Sequence, residues 1–110
     1  MNTERAWAAG FIDGEGCFHV RDYTSKAVVA LTVTQVDRRP LDRLAKVIGG
    51  VVVKGPRQHS KSPNSQGYHW VRFQGKKLDR FFAEIQPYLS EPKREQYARC
   101  KERVAEREAA

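Results

Sequence analysis

Trp7-Ala8-Ala9-Gly10-Phe11-Ile12-Asp13-Gly14-Glu15-Gly16 concentrates the unusual chemistry of this 110-residue chain, and the remaining segments are organised around it. At helical spacing Ala6, Ala9, Gly10 and Asp13 fall on one side, while Trp7 and Phe11 lie four apart on another. A single short helix would therefore carry a nearly bare face and a bulky one. The bulky face seeks a core. The bare face would let a second helix backbone come very close, which makes Ala6, Ala9, Gly10 and Asp13 candidates for a partner contact. Gly14 and Gly16 argue against continued helix and leave Glu15 at the exit. A carboxylate fixed there, beside a tight two-helix contact, suits a metal ligand.

Working outward, Thr3 is an acceptable N-cap for an Ala-rich helix over residues 4–12. Residues 17–23 alternate, with Phe18 and Val20 on one face and Cys17, His19, Arg21 and Tyr23 on the other. Ser25 and Lys26 make a short turn. The β-branched stretch 27–35 then sends Val29, Leu31 and Val33 one way and Val28, Ala30, Thr32 and Thr34 the other, giving a hairpin. Asp37, Arg38, Arg39 and Pro40 open a second helix with Leu41, Leu44, Ala45 and Ile48 as its stripe, closed by Gly49 and Gly50. Residues 51–54 read as a short strand, and 55–67 as a polar loop, mobile without a ligand, containing Pro56, Arg57, His59, Lys61, Pro63 and Asn64. Alternation returns over 68–74, with Val71 and Phe73 facing a core and Tyr68, Trp70 and Arg72 facing away. Leu78, Phe81, Phe82 and Ile85 mark a helix over 76–85, Gln86-Pro87-Tyr88-Leu89 a break, and 91–108 a charged last helix with a thin stripe of Tyr97 and Val104. The order is α+β, one domain over residues 1–110, with two hairpins joined in an antiparallel sheet whose apolar face is covered by helices.

Lys and Arg number 20 against 13 Asp and Glu, a net charge of +7, which points to a polyanionic partner, most commonly nucleic acid. No apolar run approaches the roughly 18 residues of a membrane span and the first residues lack a signal layout, so the chain reads as intracellular. Cys17 and Cys100 lie far apart without metal-ligand spacing and read as free thiols. His19, His59 and His69 are too scattered for a general base, and read as DNA contacts or surface residues.

With the helices on one face, the other presents His19, Arg21, Tyr23, Lys26, Thr32, Tyr68, Trp70 and Arg72, joined by Lys54 and Arg57 from the segment before the last strand. A two-stranded ribbon of this kind can enter the major groove, where Arg and Lys address guanine O6 and N7 while other cations bind phosphates. An exposed Trp70 between Tyr68 and Arg72 favours a ligand over bare solvent.

Ala9-Gly10-Phe11-Ile12-Asp13-Gly14-Glu15-Gly16 resembles the signature of the LAGLIDADG homing endonucleases. Val33-Thr34-Gln35, the Arg38-Arg39 pair before a Leu-rich helix, and Gln86-Pro87-Tyr88-Leu89 followed by Lys93-Arg94-Glu95-Gln96 follow the same order and spacing. The resemblance implies an αββαββα fold with a saddle-shaped antiparallel sheet that straddles duplex DNA, and, with one signature per chain, a homodimer. It implies that Glu15 binds a divalent metal such as Mg²⁺ near the scissile phosphate, assisted by the Gly14 carbonyl, with Asp13 bracing the helix interface. Gln35 and Lys93 match residues that organise water and stabilise charge, and Arg38 or Arg39 matches a further cation. The stretch from Gln35 to Leu41 is shorter than the pattern leads one to expect, and leaves that choice open. Glu15 stands in place of the commoner Asp, one methylene longer with the same charge. On this resemblance, the extra C-terminal helices that some relatives use on the DNA backbone are not expected after the helix carrying Lys93.

The implied activity is a site-specific double-strand DNA endonuclease of the intron or intein mobility class, cutting a nearly palindromic target of roughly 20 base pairs to leave short 3′ overhangs. The alternative on the same fold is a non-cleaving binder, an intron maturase or a DNA-binding regulator. A plain interaction domain is a third reading. Glu15, Gln35 and Lys93 together favour the enzyme.

Overall fold

A computed structural model describes residues 2–58 and 67–110. Helix α1 (Thr3–Glu15) leads into β1 (Gly16–Asp22) and β2 (Ala27–Gln35), and α2 (Arg38–Ile48) leads into β3 (Lys54–Arg57) and β4 (Tyr68–Gln74). Then come α3 (Gly75–Ile85), a short 3₁₀ turn (Gln86–Tyr88) and α4 (Glu91–Ala109). The four strands form one antiparallel sheet in the order β1-β2-β4-β3, so the second strand of each hairpin is central. This is the expected α+β architecture, an open sheet with its helices packed on one face.

Most strand side chains follow the period-two reading, although Ala30, assigned to the opposite face, is fully buried and Val20 only half-buried. Phe18, Val29, Leu31, Val33, Val71 and Phe73 point from the strands into one cluster with Ala8, Ala9 and Ile12 of α1, Leu41 and Leu44 of α2, Leu78, Phe81 and Ile85 of α3, and Tyr97 and Cys100 of α4. Tyr97 anchors α4 to β1 through rings: it stacks on Phe82 at 3.7 Å, and Phe18 meets both edge-on at 5.4 and 5.9 Å. Such pairs contribute about 1 kcal/mol each beyond the apolar area they bury. The Tyr97 hydroxyl donates to the Asp79 carboxylate. Burial first, and then that carboxylate, push its ionisation well above the ordinary tyrosine range.

Several elements differ from expectation. The cap of α1 is Asn2, whose side chain accepts from the Arg5 amide at 3.0 Å, rather than Thr3. The helix also runs through Gly14 to Glu15. A helical glycine costs about 1 kcal/mol relative to alanine, and the fully buried Ala8, Ala9 and Ile12 hold the helix regardless. The bend after β1 falls at Thr24 and Ser25, closed by the Tyr23 amide donating to the Lys26 carbonyl at 2.7 Å. The third strand is not the valine run 51–54: Val53 is buried and Val52 is 72% exposed, and the ladder begins at Lys54. Pairing of Lys54 with Trp70 and Arg57 with Tyr68 puts an extra residue in β3, a bulge. Pro56 is tolerated because β3 is an edge strand. The anticipated loop 55–67 therefore begins as a strand, and its anticipated mobility, with His59, Lys61, Pro63 and Asn64, falls on residues 59–66, outside the described residues. Helix α2 is capped by Asp37 and ends at Gly49 and Gly50, whose φ values of +78° and +69° are ones that side-chain-bearing residues rarely adopt.

Candidate functional site

The last turn of α1 delivers Glu15 to one end of the sheet, where it lines an open cleft of about 600 Å³ with Thr34, Gln35, Val36 and Tyr68. Glu15 and Gln35, 20 positions apart in sequence, are thus brought together as the fold class implies. Neither side chain makes a hydrogen bond or ion pair within the described residues. The last carbonyls of an α-helix, that of Gly14 among them, have no intrahelical partner. Carboxylate, amide and carbonyl are all oxygen donors, the set a hard divalent cation prefers. Among the described residues no three His, Cys, Asp or Glu side chains come together, and Glu15 is the acidic residue that lines this cleft.

Lys93 reaches the same end from α4: its ammonium donates to the carbonyl of Gly16, the residue after Glu15. Three further contacts fix that position. The Asp13 carboxylate accepts from the Ser90 amide at 3.1 Å and from the Ser90 hydroxyl at 2.9 Å, capping α4 from outside its own segment. The Gln96 side chain accepts from the Phe18 amide at 2.9 Å, covering the outer edge of β1. Asp13 was expected at a helix–helix contact; within this chain it is committed to α4 instead.

Arg38 and Arg39 do not line the Glu15 cleft. Arg38 pairs with Asp42 at 3.1 Å, and Arg39 with Asp37 at 2.6 Å. Hydrogen bonds from the Arg39 side chain and then its amide hold the Asp37 carboxyl down to about 2. Arg39 instead borders a groove of about 510 Å³ with Trp7, Phe11, Asp37, Pro40 and Arg43. In that groove Trp7 and Phe11 stack at 5.3 Å and the Arg43 guanidinium sits 4.0 Å over the indole. Trp7 and Phe11 are half-buried and pack against the margin of the core, to which α1 contributes the fully buried Ala8, Ala9 and Ile12. Ala9, expected at a partner contact, is fully buried in its own chain. The exposed stripe consists of Gly10 and Gly14, flanked by half-buried Ala6 and Phe11.

The strand register puts Cys17, His19 and Arg21 of β1, Val28, Ala30, Thr32 and Thr34 of β2, and Trp70, Arg72 and Gln74 of β4 on the face away from the helices. No acidic side chain is among them. His19 Nε2 and Thr32 Oγ1 share a hydrogen bond of 2.8 Å, and Arg72 Nε donates to the same oxygen at 3.1 Å. Burial, then the charges of Arg72 and Arg21, lower the His19 pKa from its usual value near 6.5. Toward the β1–β2 turn, Arg21 donates to Gln74 Oε1 at 3.3 Å, Gln74 Nε2 donates to the Tyr23 hydroxyl at 3.0 Å, and Arg21 lies 5.5 Å over the Tyr23 ring. Trp70 is half-buried rather than exposed, with Arg57 at 5.3 Å over its ring and Tyr68 at 5.9 Å beside it. Lys26 and Lys54 are exposed. Gln74 and Thr34 complete this surface without having been singled out; their position in alternation with Arg72 and Thr32 was the available signal.

With this geometry in hand, the known proteins it matches are informative. The sequence profile of the LAGLIDADG endonuclease family matches residues 8–103. The chain belongs to this family. No curated protein matches it. Among solved structures, the homing endonuclease I-TnaI aligns with a TM-score of 0.67 and 23% identity over 99% of this chain and 76% of its own. The homing endonuclease I-CvuI, in complex with its target in the presence of 2 mM Ca, aligns at 0.63 and 24% over 89% of this chain and 61% of its own. The archaeal intron-encoded homing endonuclease I-Vdi141I, complexed with DNA, aligns at 0.61 and 19% over 83% and 60%. The chain thus shares the LAGLIDADG fold, and spans about three fifths of the length of the latter two. No helix among the described residues is long and apolar enough to cross a membrane.

Proposed function

We propose that the chain is a homodimeric, divalent-metal-dependent DNA endonuclease that reads a long pseudo-palindromic site with its open sheet face. The observation that carries this is the pairing of an uncommitted Glu15 and Gln35 in one cleft with Lys93 held at the adjacent Gly16 carbonyl. A pure binder has no need for that arrangement. Membership in the LAGLIDADG endonuclease family, and DNA complexes of proteins of the same fold, support it.

Glu15 and the Gly14 carbonyl would hold the cation, as oxygen donors of the kind a hard divalent ion prefers. The cation, when bound, supplies an activated water and neutralises charge developing on the phosphate. Gln35 can donate or accept at a water in the cleft and so orient it. The Lys93 ammonium, fixed by the Gly16 carbonyl, adds positive charge beside the anion that forms.

The dimer is supported by α1. Gly10 and Gly14 are exposed one turn apart, and a Cβ added at either would meet nothing within 4 Å. Their own chain does not require glycine there, and two helical glycines cost about 2 kcal/mol together relative to alanine. Close approach of a second helix accounts for them, with Trp7 and Phe11 beside the stripe. The contact so read uses Ala6 and Gly10 as expected and adds Gly14, Trp7 and Phe11, while Ala9 and Asp13 serve the chain's own packing.

The test is incubation with a random library of duplex sites and Mg²⁺. Wild type should cut a defined site, and Glu15→Gln should retain binding but lose about 10³-fold or more in cleavage rate. Binding without cutting by wild type would favour the maturase or regulator reading; equal cutting by Glu15→Gln would remove the proposed role of that residue.

A further inference from the structure

We propose that Arg107 is a positioning residue for sequence readout, clasping the β1–β2 turn so that Tyr23, Arg21 and Gln74 keep their places on the base-facing side of the sheet; the readout role rests on the endonuclease reading above. Arg107 lies near the end of α4, whose earlier residues bind Gly16 through Lys93, the Phe18 amide through Gln96 and Asp79 through Tyr97 and Lys101. Its guanidinium donates through Nη1 to the Asp22 carboxylate at 2.8 Å and through Nη2 to the Tyr23 carbonyl at 2.8 Å and the Thr24 carbonyl at 3.4 Å. One planar fork thus binds three consecutive residues as the strand leaves the sheet, an arrangement a lysine cannot reproduce.

The reach of α4 makes this possible. Lys93 meets the first residue of β1, and Arg107, fourteen residues on, meets the turn after its last. Fourteen helical residues rise about 21 Å, and the seven steps from Gly16 to Tyr23 span about 23 Å. Helix and strand therefore run side by side in matched length. What the clasp holds matters for readout. Tyr23 is exposed, and its hydroxyl takes the Gln74 amide while its ring carries Arg21. A loosened turn would release all three together. At about 3.4 Å per base pair, a group some 23 Å along β1 from Glu15 faces bases roughly seven pairs further out than those beside the cleft.

The experiment uses the full chain and two readouts: amide hydrogen exchange without DNA, and selection of bound and cut duplexes from a random library. Arg107→Ala should raise exchange over residues 22–26 about tenfold. It should also weaken base preference about tenfold at outer positions of each half-site, leaving preference near the cut unchanged. Arg107→Lys should resemble it. Arg103→Ala, which removes the same charge from an exposed position one turn earlier, should match wild type in both. Unchanged exchange in Arg107→Ala would overturn the clasp. Raised exchange with intact outer preference would overturn the readout role, as would an equal loss in Arg103→Ala, which would make the effect one of charge. If wild type selects no DNA, the endonuclease reading falls and the readout role with it, while exchange alone still decides the clasp.

Discussion

Glu15 and Tyr23 stand at the two ends of one strand, yet the ends are built differently. Around Glu15, carboxylate and amide face an open cleft with no partner among the described residues. Around Tyr23, ring, guanidinium and amide are bonded to one another and the turn is tied to α4. In the proposed function the first end is completed only by a cation, a phosphate and a second copy, whereas the contacts at the second already exist within one chain. Ordering a side chain in advance lowers what binding must supply. Leaving a charge without a partner has its own use, because an uncommitted carboxylate keeps its ligand capacity.

The largest effect that could break this contrast is at the helix stripe. A Cβ at Gly10 meets nothing within 4 Å in its own chain and leucine is the better helix former, so in Gly10→Leu the monomer should gain up to about 1 kcal/mol while the proposed dimer and its cleavage are lost. Sedimentation would show the change in assembly and thermal melting the gain. A dimer unchanged by the leucine would mean that the α1 stripe is not the contact.

A smaller effect sharpens the reading face. Thr32→Val keeps the shape but removes the oxygen that both His19 and Arg72 use. Loss of about 1 kcal/mol in stability is expected, together with about tenfold weaker preference at bases facing the middle of the sheet. Denaturant unfolding and site selection measure the two.

The smallest concerns protonation. Because the folded His19 pKa lies below its unfolded value near 6.5, the unfolded chain binds more protons between the two. Stability from this residue is therefore fully present above pH 6.5 and is lost as pH falls through the folded pKa. Arg72→Ala, by removing a neighbouring charge, should move the His19 titration upward in NMR spectra without restoring it fully, since burial is the larger cause. A midpoint unaffected by the substitution would mean the two side chains do not share the field their geometry implies.

How much of this was legible beforehand follows from the range of the interactions. Strands β2 and β4 begin and end where alternation places them, because a half-buried sheet writes its register into every second residue. Glu15 and Gln35 were recognisable because their motifs close an element. Val51, Val52 and Val53 misled because β propensity is local, whereas the β3 ladder is set by Trp70 and Tyr68 across the sheet. Gly14 misled in the same way, its local penalty outweighed by the burial of Ala8, Ala9 and Ile12. Asp13 with Ser90 and Arg107 with Asp22 join residues 77 and 85 positions apart, and no periodicity carries such pairs. Arg38 and Arg39, expected just before a helix, form its first two residues, and neighbouring carboxylates take their charge away from the cleft.

The contacts that α4 makes along β1 also have a consequence in time. During synthesis the ribosome releases this helix after every other described element, and until it docks, Lys93 is absent from Gly16, the outer edge of β1 is bare and the turn at Tyr23 is untied. A nascent chain without α4 therefore lacks the contacts that hold both ends of β1, on which the proposed site depends.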